Sequence, residues 1–326
     1  MLQSSIRWSD MMKPTILMVP RMPEALVARL RERYIVLGPM EHSVPEALPE
    51  GAGAAEALLT MGSLRTDAAL MDALPKLRLI CCYGTGIEGV DRAHAKARGI
   101  ALGNAGTANA SSVAEFAMGL MLATARQIPQ ADRFVRAGRW QGNSVQRMAS
   151  VPGLAGRKLG IYGLGAIGSR IARRAEAFEM EIGYHNRSRR ADVPYRYHDS
   201  LLGLAEWADL LVVSARASVE NRHAVDAAVL KALGPSGHLV NISRGIAVDE
   251  EALCAALEAG VIAGAGLDVY ENEPHVPERL KALDNVVLTP HIAAASHSAQ
   301  EAQQEVMLGN LDAFFAGRPL LSPVAL

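Results

Sequence analysis

The feature that most constrains the fold is a repeated alternation of short, continuously apolar segments with helical patterns. The first round contains the runs TILMV (15–19), YIVLG (34–38), ALLT (57–60), LRLICCYG (77–84) and IALGN (100–104). The second round contains KLGIYG (158–163), EIGYHN (181–186), DLLVVSA (209–215), GHLVNIS (237–243), VIAGAGLDV (261–269) and NVVLTP (285–290). Apolar runs of this kind, separated by helices, are typical of parallel strands covered on both faces. The pattern therefore predicts an α/β fold with two doubly wound parallel sheets.

The segment 111–140 interrupts this alternation with a helical pattern. We expect at least one long helix there, with Ser111 or Ser112 as its N-cap. A last helical pattern covers roughly 296–316, after the second round has ended. The chain is therefore divided into one domain of residues 1–110 and 296–326 and a second domain of residues 111–295.

Composition excludes several classes of protein. The formal net charge of the 326 residues is −1, so nothing global favours nucleic acid or an anionic membrane as a partner. The three cysteines, Cys81, Cys82 and Cys254, lack metal-ligand spacing, which predicts reduced thiols, a cytoplasmic setting and no metal site. No apolar run approaches the roughly 18 residues of a membrane span. Met11 or Met12 is an alternative start, which would leave the first ten residues as a disordered extension.

A glycine-rich turn follows the first strand of the second round and precedes a helical pattern. It consists of Gly163, Leu164, Gly165, Ala166, Ile167 and Gly168. In this context the three glycines provide a tight turn, a close approach to pyrophosphate and a helix–strand contact, while the helix amides meet the phosphate charge. The turn therefore predicts a dinucleotide site, the alternative being an ordinary glycine-rich connection.

The strand after that helix ends in a basic sequence rather than in an acid. Dinucleotide sites for NAD usually have Asp or Glu there, whereas this chain has Asn186, Arg187, Ser188 and Arg189. Guanidinium groups and a hydroxyl match a 2′-phosphate, which a carboxylate would repel. We therefore expect NADP(H) to be preferred, with NAD(H) possible. The alternative is a solvated basic loop, and Arg190 is interpreted in that way.

Three polar residues follow strand ends in the second round: Arg244, Glu273 and His291. Taken singly they are compatible with a surface arginine, a loop glutamate and a capping histidine. Ligands of open α/β sheets bind beyond the carboxyl ends of the strands, where all three are expected. Their joint placement makes them candidates for catalysis.

Four motifs resemble the signatures of the D-isomer-specific 2-hydroxyacid dehydrogenases: GLGAIG, SRGIAVDEEAL, GAGLDVYENEP and LTPHIAAAS. The resemblance extends from about residue 14 to the end, and CCYGTG, DRFVRAGRW, NRSRR and LLSPV are most similar to the glyoxylate/hydroxypyruvate reductases and their hydroxyphenylpyruvate-reducing relatives. It implies a Rossmann cofactor domain, a flavodoxin-like substrate domain and an active site in the cleft between them. Formate dehydrogenases lack the glutamate that is Glu273 here.

The resemblance implies that Arg244, Glu273 and His291 are the catalytic residues. The always-charged Arg244 suits the carboxylate and carbonyl oxygen of a 2-oxo acid. His291 suits proton donation to the reduced oxygen. A Glu273 carboxylate beside it orients the ring and stabilises its protonated form.

Further ligand contacts are implied by the resemblance alone. The amides of Gly84, Thr85 and Gly86 are expected to bind the substrate carboxylate, and LLTMGS (58–63), with Met61 and Gly62, to form the opposite wall. A plain tight turn is the alternative for the glycine segment. Cofactor contacts are expected from Ala215, Arg216, Ile242, Ser243 and Asp268. Arg216 replaces the proline usual in the family, and Asp268 has a salt-bridged or capping role as its alternative, while His297 is a candidate for the substrate pocket.

These interpretations predict NADPH-dependent reduction of a small 2-oxo acid to the D-2-hydroxy acid. Phosphoglycerate dehydrogenase, or a dinucleotide-sensing interaction protein similar to corepressors of this fold, are the alternatives. A homodimer through 111–140 is also expected, since this segment is apolar on more than one face through Val113, Phe116, Met118, Leu120, Met121 and Leu122. The alternative is that this helix packs between both domains.

Overall fold

The computed structural model describes residues 13–141, 148–216 and 218–326. They form two compact units, one made of the described residues up to Asn109 together with His297–Leu326 and the other of Ala110–Ser296. Each unit is built on one parallel sheet flanked by helices, which confirms the α/β class. The expected extension over the first ten residues lies outside the described residues.

The first unit contains a five-stranded sheet in the order β2-β1-β3-β4-β5. Its strands are β1 (Thr15–Met18), β2 (Ile35–Leu37), β3 (Ala57–Thr60), β4 (Leu79–Cys82) and β5 (Ala101–Gly103). The intervening helices are α1 (Glu24–Arg33), α2 (Ala68–Asp72) and α3 (Arg92–Ala97). All neighbours pair in parallel, and every residue of β3 and β4 is buried, as expected for strands covered on both faces.

The second unit contains a seven-stranded parallel sheet in the order β12-β11-β10-β9-β6-β7-β8. Its strands are β6 (Lys158–Tyr162), β7 (Glu181–His185), β8 (Arg196–Tyr197), β9 (Leu210–Val213), β10 (His238–Asn241), β11 (Gly264–Leu267) and β12 (Val286–Leu288). Its helices are α4 (Ala110–Ala125), α5 (Ile128–Arg136), α6 (Ala166–Glu176), α7 (Leu201–Trp207), α8 (Ala227–Leu233), α9 (Glu250–Glu258) and α10 (Glu278–Ala282). The last helix of the chain, α11 (His297–Phe315), returns to the first unit. The two-residue strand β8 is too short to leave an apolar run in the sequence, and it was not expected.

Side-chain caps fix the starts of five short helices. The caps are Asp67 for α2, Asp91 for α3, Ser200 for α7, Asp226 for α8 and Asp249 for α9, each accepting a hydrogen bond from an amide of the first turn. The expected cap of α4 is wrong, because the helix already includes Ser111 and Ser112. Ser112 instead donates to the carbonyl of Ala293 at 3.1 Å, and the hydroxyl of Ser111 accepts from Arg174 at 2.9 Å.

The apolar side chains of α4 belong to the core of the second unit. Val113, Met118, Leu120 and Met121 are each at most 5% exposed there. Gly266 of β11 allows the close packing, since an added Cβ would lie 2.8 Å from Leu120 Cγ. Four of the six apolar residues expected to face a partner are thus buried within the second unit, whereas Phe116 and Leu122 are only partly buried, and a homodimer through 111–140 stays a prediction. Among the described residues, no helix is long and apolar enough to cross a membrane.

Candidate active site

The glycine turn after β6 shows a different requirement at each glycine. Gly163 has φ +100°, and an added Cβ would lie 2.4 Å from the backbone of Ala215. A Cβ on Gly168 would lie 2.2 Å from the carbonyl oxygen of Gly163. At Gly165, the N-cap of α6, an added Cβ would meet no described atom within 4 Å. The chain's own packing therefore requires the outer glycines, while the space at Gly165 fits a pyrophosphate at the helix N-terminus.

The basic loop after β7 is anchored at both ends and free between them. Asn186 Oδ1 accepts from the amide of Leu164 at 2.7 Å, which ties the loop to the glycine turn. Arg187, Ser188 and Arg189 are exposed, and no other described residue hydrogen-bonds to their side chains. Three polar groups are thereby left available to a ligand beside the glycine turn.

Arg190 differs from its neighbours, and its interpretation as a solvated residue is wrong. Its guanidinium donates to the carbonyl oxygen of Leu164 at 3.0 Å and to Ser169 Oγ at 2.8 Å. It also forms an ion pair with Asp192, which is two residues away. Arg190 thus braces the basic loop against the glycine turn and the start of α6.

The strand on the other side of the glycine turn, β9, is followed by Ala215 and Arg216. The Ala215 backbone packs against Gly163. Arg216 is exposed, and its carbonyl accepts from Asn221 Nδ2 at 3.0 Å. Because β6 lies between β7 and β9, Arg216 and the basic loop follow strands on opposite sides of the glycine turn.

The segment after β10 holds its polar groups within the chain. Ile242 and Ser243 are buried, and both the amide and the hydroxyl of Ser243 donate to Asn241 Oδ1, at 3.1 and 3.2 Å. Asn241 Nδ2 donates to the carbonyl of Arg244 at 3.1 Å, and Arg244 Nη1 donates to the carbonyl of Ser243 at 2.7 Å. The position of Arg244 is therefore set by a buried asparagine on the strand that precedes it.

His291 and Glu273 form a hydrogen-bonded pair that joins the segments after β12 and β11. The distance from His291 Nδ1 to Glu273 Oε2 is 2.7 Å, and Glu273 Oε1 accepts from the Tyr270 amide at 3.1 Å. The two side chains are 44% and 34% exposed, so the pair remains accessible. His291 has φ +54°, a left-handed conformation that surrounding contacts must hold.

Asp268 holds the backbone around His291. Its buried carboxylate accepts from Thr289 Oγ1 at 2.7 Å and from the amides of Ile292 and Ala293 at 2.9 Å each. These are the contacts of the capping acid considered as its alternative. A fully buried carboxylate needs such donors, so an acid directly after an apolar strand was a usable signal for this role. A contact between Asp268 and a cofactor stays a prediction.

A glycine brings the Arg244 turn against the segment that carries Glu273. An added Cβ on Gly245 would lie 1.9 Å from the carbonyl carbon of Tyr270. Because β10, β11 and β12 are neighbours, Arg244, Glu273 and His291 follow three consecutive strands at one edge of the sheet. Sequence reasoning placed these side chains by strand ends and missed Gly245, whose role depends on a contact 25 residues away along the chain.

A second histidine–carboxylate pair lies behind the Arg244 turn and was not predicted. The distance from His223 Nε2 to Glu271 Oε1 is 2.9 Å, and the His223 amide donates to the carbonyl of Ile246 at 2.8 Å. The Glu271 amide donates to Glu250 Oε1 at 2.8 Å. Burial raises the pKa of Glu250, with the nearby charge of Glu271 adding to the effect and the hydrogen bond from the Glu271 amide opposing it.

In the first unit the two candidate substrate segments are neighbours. A Cβ on Gly62 would lie 1.7 Å from the carbonyl oxygen of Gly86, and the Gly89 amide donates to Gly62 O at 2.7 Å. The expectation of opposite walls is therefore wrong, because β3 and β4 are adjacent and their carboxyl ends meet at one edge. Met61 is 40% exposed and lies at the same edge.

The last of the candidate residues is His297. His297 is the exposed first residue of α11, in the first unit, and its role in a substrate pocket stays a prediction. No group of three or more His, Cys, Asp or Glu side chains in the described part of the chain is arranged to hold a metal ion.

The chain is similar to known proteins of one family. The family model for the D-isomer specific 2-hydroxyacid dehydrogenase, NAD binding domain, matches residues 118–293. A glyoxylate/hydroxypyruvate reductase of Arabidopsis thaliana is 43% identical over 284 residues, which cover 87% of each chain. A hydroxyphenylpyruvate reductase of Plectranthus scutellarioides is 41% identical over 258 residues, covering 79% of this chain and 82% of that one.

A solved structure is similar over almost the whole chain. It is the crystal structure of an NADPH-dependent glyoxylate/hydroxypyruvate reductase of Sinorhizobium meliloti in complex with NADP and malonate. Its TM-score is 0.90 at 39% sequence identity, and the match covers 96% of this chain and 97% of that one. The likeness therefore extends to both units.

Proposed function

Because the chain belongs to the D-isomer-specific 2-hydroxyacid dehydrogenase family of oxidoreductases, we propose that it reduces a 2-oxo acid of the glyoxylate/hydroxypyruvate class. The product is the corresponding D-2-hydroxy acid. The observation that carries the proposal is the accessible His291–Glu273 pair, with its 2.7 Å hydrogen bond, on strands next to the one that ends at Arg244.

The proposed roles follow from the hydrogen bonds of these side chains. When bound, the nicotinamide cofactor supplies a hydride to the carbonyl carbon of the substrate. Arg244 binds the carboxylate and the carbonyl oxygen, on which negative charge develops. His291 Nδ1 is engaged by Glu273, so Nε2 is the nitrogen that donates a proton to that oxygen and completes the hydroxyl group. Glu273 orients the ring and stabilises its protonated form.

We assign the cofactor to the second unit and the substrate carboxylate to the loop of the first unit that contains Gly84–Gly86. NADPH is proposed as the preferred cofactor, because Arg187, Ser188 and Arg189 are exposed and uncommitted and no acid stands at this position. A 2′-phosphate would take charge-assisted hydrogen bonds from these groups. The NADPH dependence of the Sinorhizobium meliloti relative supports this choice.

We also propose that the protein forms a homodimer through α5 and the residues after it. All residues of α5 are at least partly exposed, and Ile128, Val135 and Trp140 are 52%, 53% and 63% exposed. A second copy can cover this apolar surface, as the resemblance implies for this region. Val135→Glu combined with Trp140→Glu should shift the mass measured by light scattering from dimer to monomer. The matched control Leu202→Glu, at an exposed leucine of α7, should remain a dimer.

Steady-state kinetics of the purified protein tests the activity. Glyoxylate, hydroxypyruvate and 4-hydroxyphenylpyruvate are each assayed with NADPH and with NADH, and His291→Asn is the inactive control. We expect kcat/KM with NADPH to exceed that with NADH at least about tenfold, the equivalent of one charge-assisted hydrogen bond. A preference for NADH would make the basic loop a solvated surface. No turnover of any acid would favour the dinucleotide-sensing alternative.

A further inference from the structure

The loop after β4 in the first unit has its carbonyl groups held and its amides free. The carbonyl of Thr85 accepts from Asn104 Nδ2 at 2.7 Å, that of Gly84 from the Ala105 amide at 2.9 Å, and that of Tyr83 from Gln303 Nε2 at 3.4 Å. Among the described residues, none accepts a hydrogen bond from the amides of Gly84, Thr85 or Gly86. Three successive peptide groups are thus fixed on one side only.

The geometry of the peptide bond converts held carbonyls into oriented amides. In a trans peptide the carbonyl of one residue and the amide of the next point in opposite directions. Since the carbonyls of Tyr83, Gly84 and Thr85 are bonded within the unit, the amides of Gly84, Thr85 and Gly86 point away from those contacts. Successive free amides of this kind form a concave site for an anion.

Two glycines make this loop dependent on hydrogen bonds from residues outside it. Gly84 and Gly86 have wide conformational freedom, so the peptide groups beside them can rotate at little cost unless something holds them. The strongest holder by distance is the Asn104 amide, which follows β5 on the neighbouring strand. The Gln303 side chain, on α11, donates to the Tyr83 carbonyl, and its Nε2 would lie 3.7 Å from a Cβ added at Gly84.

The Asn104 side chain is itself fully committed. It is 3% exposed, and its Oδ1 accepts from the Gly106 amide at 2.9 Å and from Ser322 Oγ at 3.1 Å. Asn310, which is fully buried on α11, donates to the Asn104 carbonyl at 3.2 Å and accepts from the Ser322 amide at 3.0 Å. With its oxygen occupied, Asn104 can only present its NH₂ group to the loop.

We propose that Asn104 and Gln303 are positioning residues that hold the amides of Gly84, Thr85 and Gly86 in the orientation that binds the carboxylate of the substrate. This inference rests on the proposed function, and it adds residues outside the motifs that carry the family resemblance. Asn104 contributes through its NH₂ group, and Gln303 contributes through a longer and weaker bond. Neither touches the substrate or the cofactor.

The decisive variant is Asn104→Asp, which keeps the accepting oxygen and replaces the donor by a second acceptor facing the Thr85 carbonyl. Repulsion should turn that peptide and withdraw the Gly86 amide from the site. We expect KM for glyoxylate to rise about 10-fold to 100-fold, the equivalent of one charge-assisted hydrogen bond. Most of the loss in kcat/KM should lie in KM for the acid, with KM for the nicotinamide cofactor unchanged.

Asn310→Asp is the matched control, since it makes the same chemical change in the same buried network without touching the loop carbonyls. It should lower the melting temperature at least as much as Asn104→Asp and leave KM for glyoxylate within about threefold, less than one charge-assisted hydrogen bond. Gln303→Leu is the second test variant, in which a smaller rise in KM is expected, and it decides the question if Asn104→Asp does not fold. Equal rises in KM for the Asn104 and Asn310 variants, or an unchanged KM in Gln303→Leu, would overturn the positioning role.

Calorimetric titration with oxalate, which cannot be reduced, separates this inference from the proposed activity. Oxalate should bind the wild type and the Asn310 variant alike and bind Asn104→Asp at least about 10-fold more weakly. If the wild type binds oxalate in this way but turns over none of the acids, the proposed activity fails and the anion site stands. If Asn104→Asp binds oxalate as tightly as the wild type, the positioning role is wrong whatever the activity.

Discussion

Two histidines stand at opposite ends of the same sheet in the second unit. His291 follows the carboxyl end of β12, is exposed, and pairs with the Glu273 carboxylate at 2.7 Å. His238 is the first residue of β10 and is 8% exposed. Burial, together with the positive charge of Arg157, lowers the pKa of His238 to about 4.

The partners explain what each histidine can do. A carboxylate stabilises a protonated ring, whereas a nearby, partly buried guanidinium opposes one. Neither His238 Nδ1 nor Arg157 Nη1 has a hydrogen-bond partner among the described residues, so this site is packed but incompletely satisfied. In the proposed function the proton donor therefore lies at the carboxyl edge of the sheet, whereas the histidine at the amino edge is held neutral by its lowered pKa.

The largest expected effect comes from making the same substitution at both histidines. His291→Asn removes the proton donor, and asparagine tolerates the left-handed backbone found there. We expect kcat for glyoxylate reduction at pH 7.5 to fall about 10²-fold to 10⁴-fold, the usual contribution of a general acid. His238→Asn should keep kcat within about threefold, since it lies far from any proton transfer in this scheme.

Thermal unfolding supplies the opposite ranking. His238→Asn should lower the melting temperature more than His291→Asn, because only the first replaces a buried side chain. If kcat fell equally in both variants, the distinction between the two ends of the sheet would be lost. An active His291→Asn enzyme would remove this residue from the proposed chemistry.

The residues at the carboxyl edge of the sheet could be predicted from the sequence alone. Strand order and direction placed Arg244, Glu273 and His291 at one edge, because each follows an apolar run by a few residues and parallel strands end together. The glycine turn could be predicted equally well, since its six residues are consecutive in the chain. Both predictions depend only on residues that are close in sequence and on the direction of the strands.

What stayed hidden depends on contacts between distant segments. Gly245 is required by the backbone of Tyr270, and Asn104 acts on a carbonyl 19 residues earlier. Arg190 was misjudged because its exposure depends on where the glycine turn passes. Four apolar residues of α4 were expected to face a partner but pack in the core of their own unit, because periodicity indicates that a helix face is buried but not what covers it.

The second prediction concerns acid stability and uses His238. Its folded-state pKa of about 4 lies below the ordinary value of 6.5, so the unfolded chain takes up a proton first as the pH falls. Neutral His238 makes its full contribution to the free energy of unfolding above about pH 6.5. This contribution is lost progressively as the pH falls from 6.5 to 4. With roughly 1.4 kcal/mol per pKa unit, the wild type should lose about 3 kcal/mol more than His238→Asn between pH 7 and pH 4.

Urea unfolding at several pH values measures this difference. Carboxylates throughout the protein also titrate in this range, so the quantity of interest is the wild-type free energy of unfolding minus that of His238→Asn at each pH. Parallel curves for the wild type and His238→Asn would show that His238 is not held neutral by its surroundings.

The smallest expected effect separates the charge of Glu273 from its hydrogen bonds. In Glu273→Gln the amide oxygen can still accept from His291 Nδ1, so the ring keeps its orientation and presents Nε2 as before. The negative charge that stabilises the protonated ring is lost, and we expect kcat for glyoxylate to fall about 10-fold with KM little changed, the size of one charged interaction. The loss of unfolding free energy that His238 causes between pH 7 and pH 4 should be the same in this variant, because His238 lies at the other end of the sheet. A loss as large as that of His291→Asn would mean instead that the carboxylate acts on the substrate or on Arg244 directly, and a loss below twofold would mean that orienting the ring is all that Glu273 does.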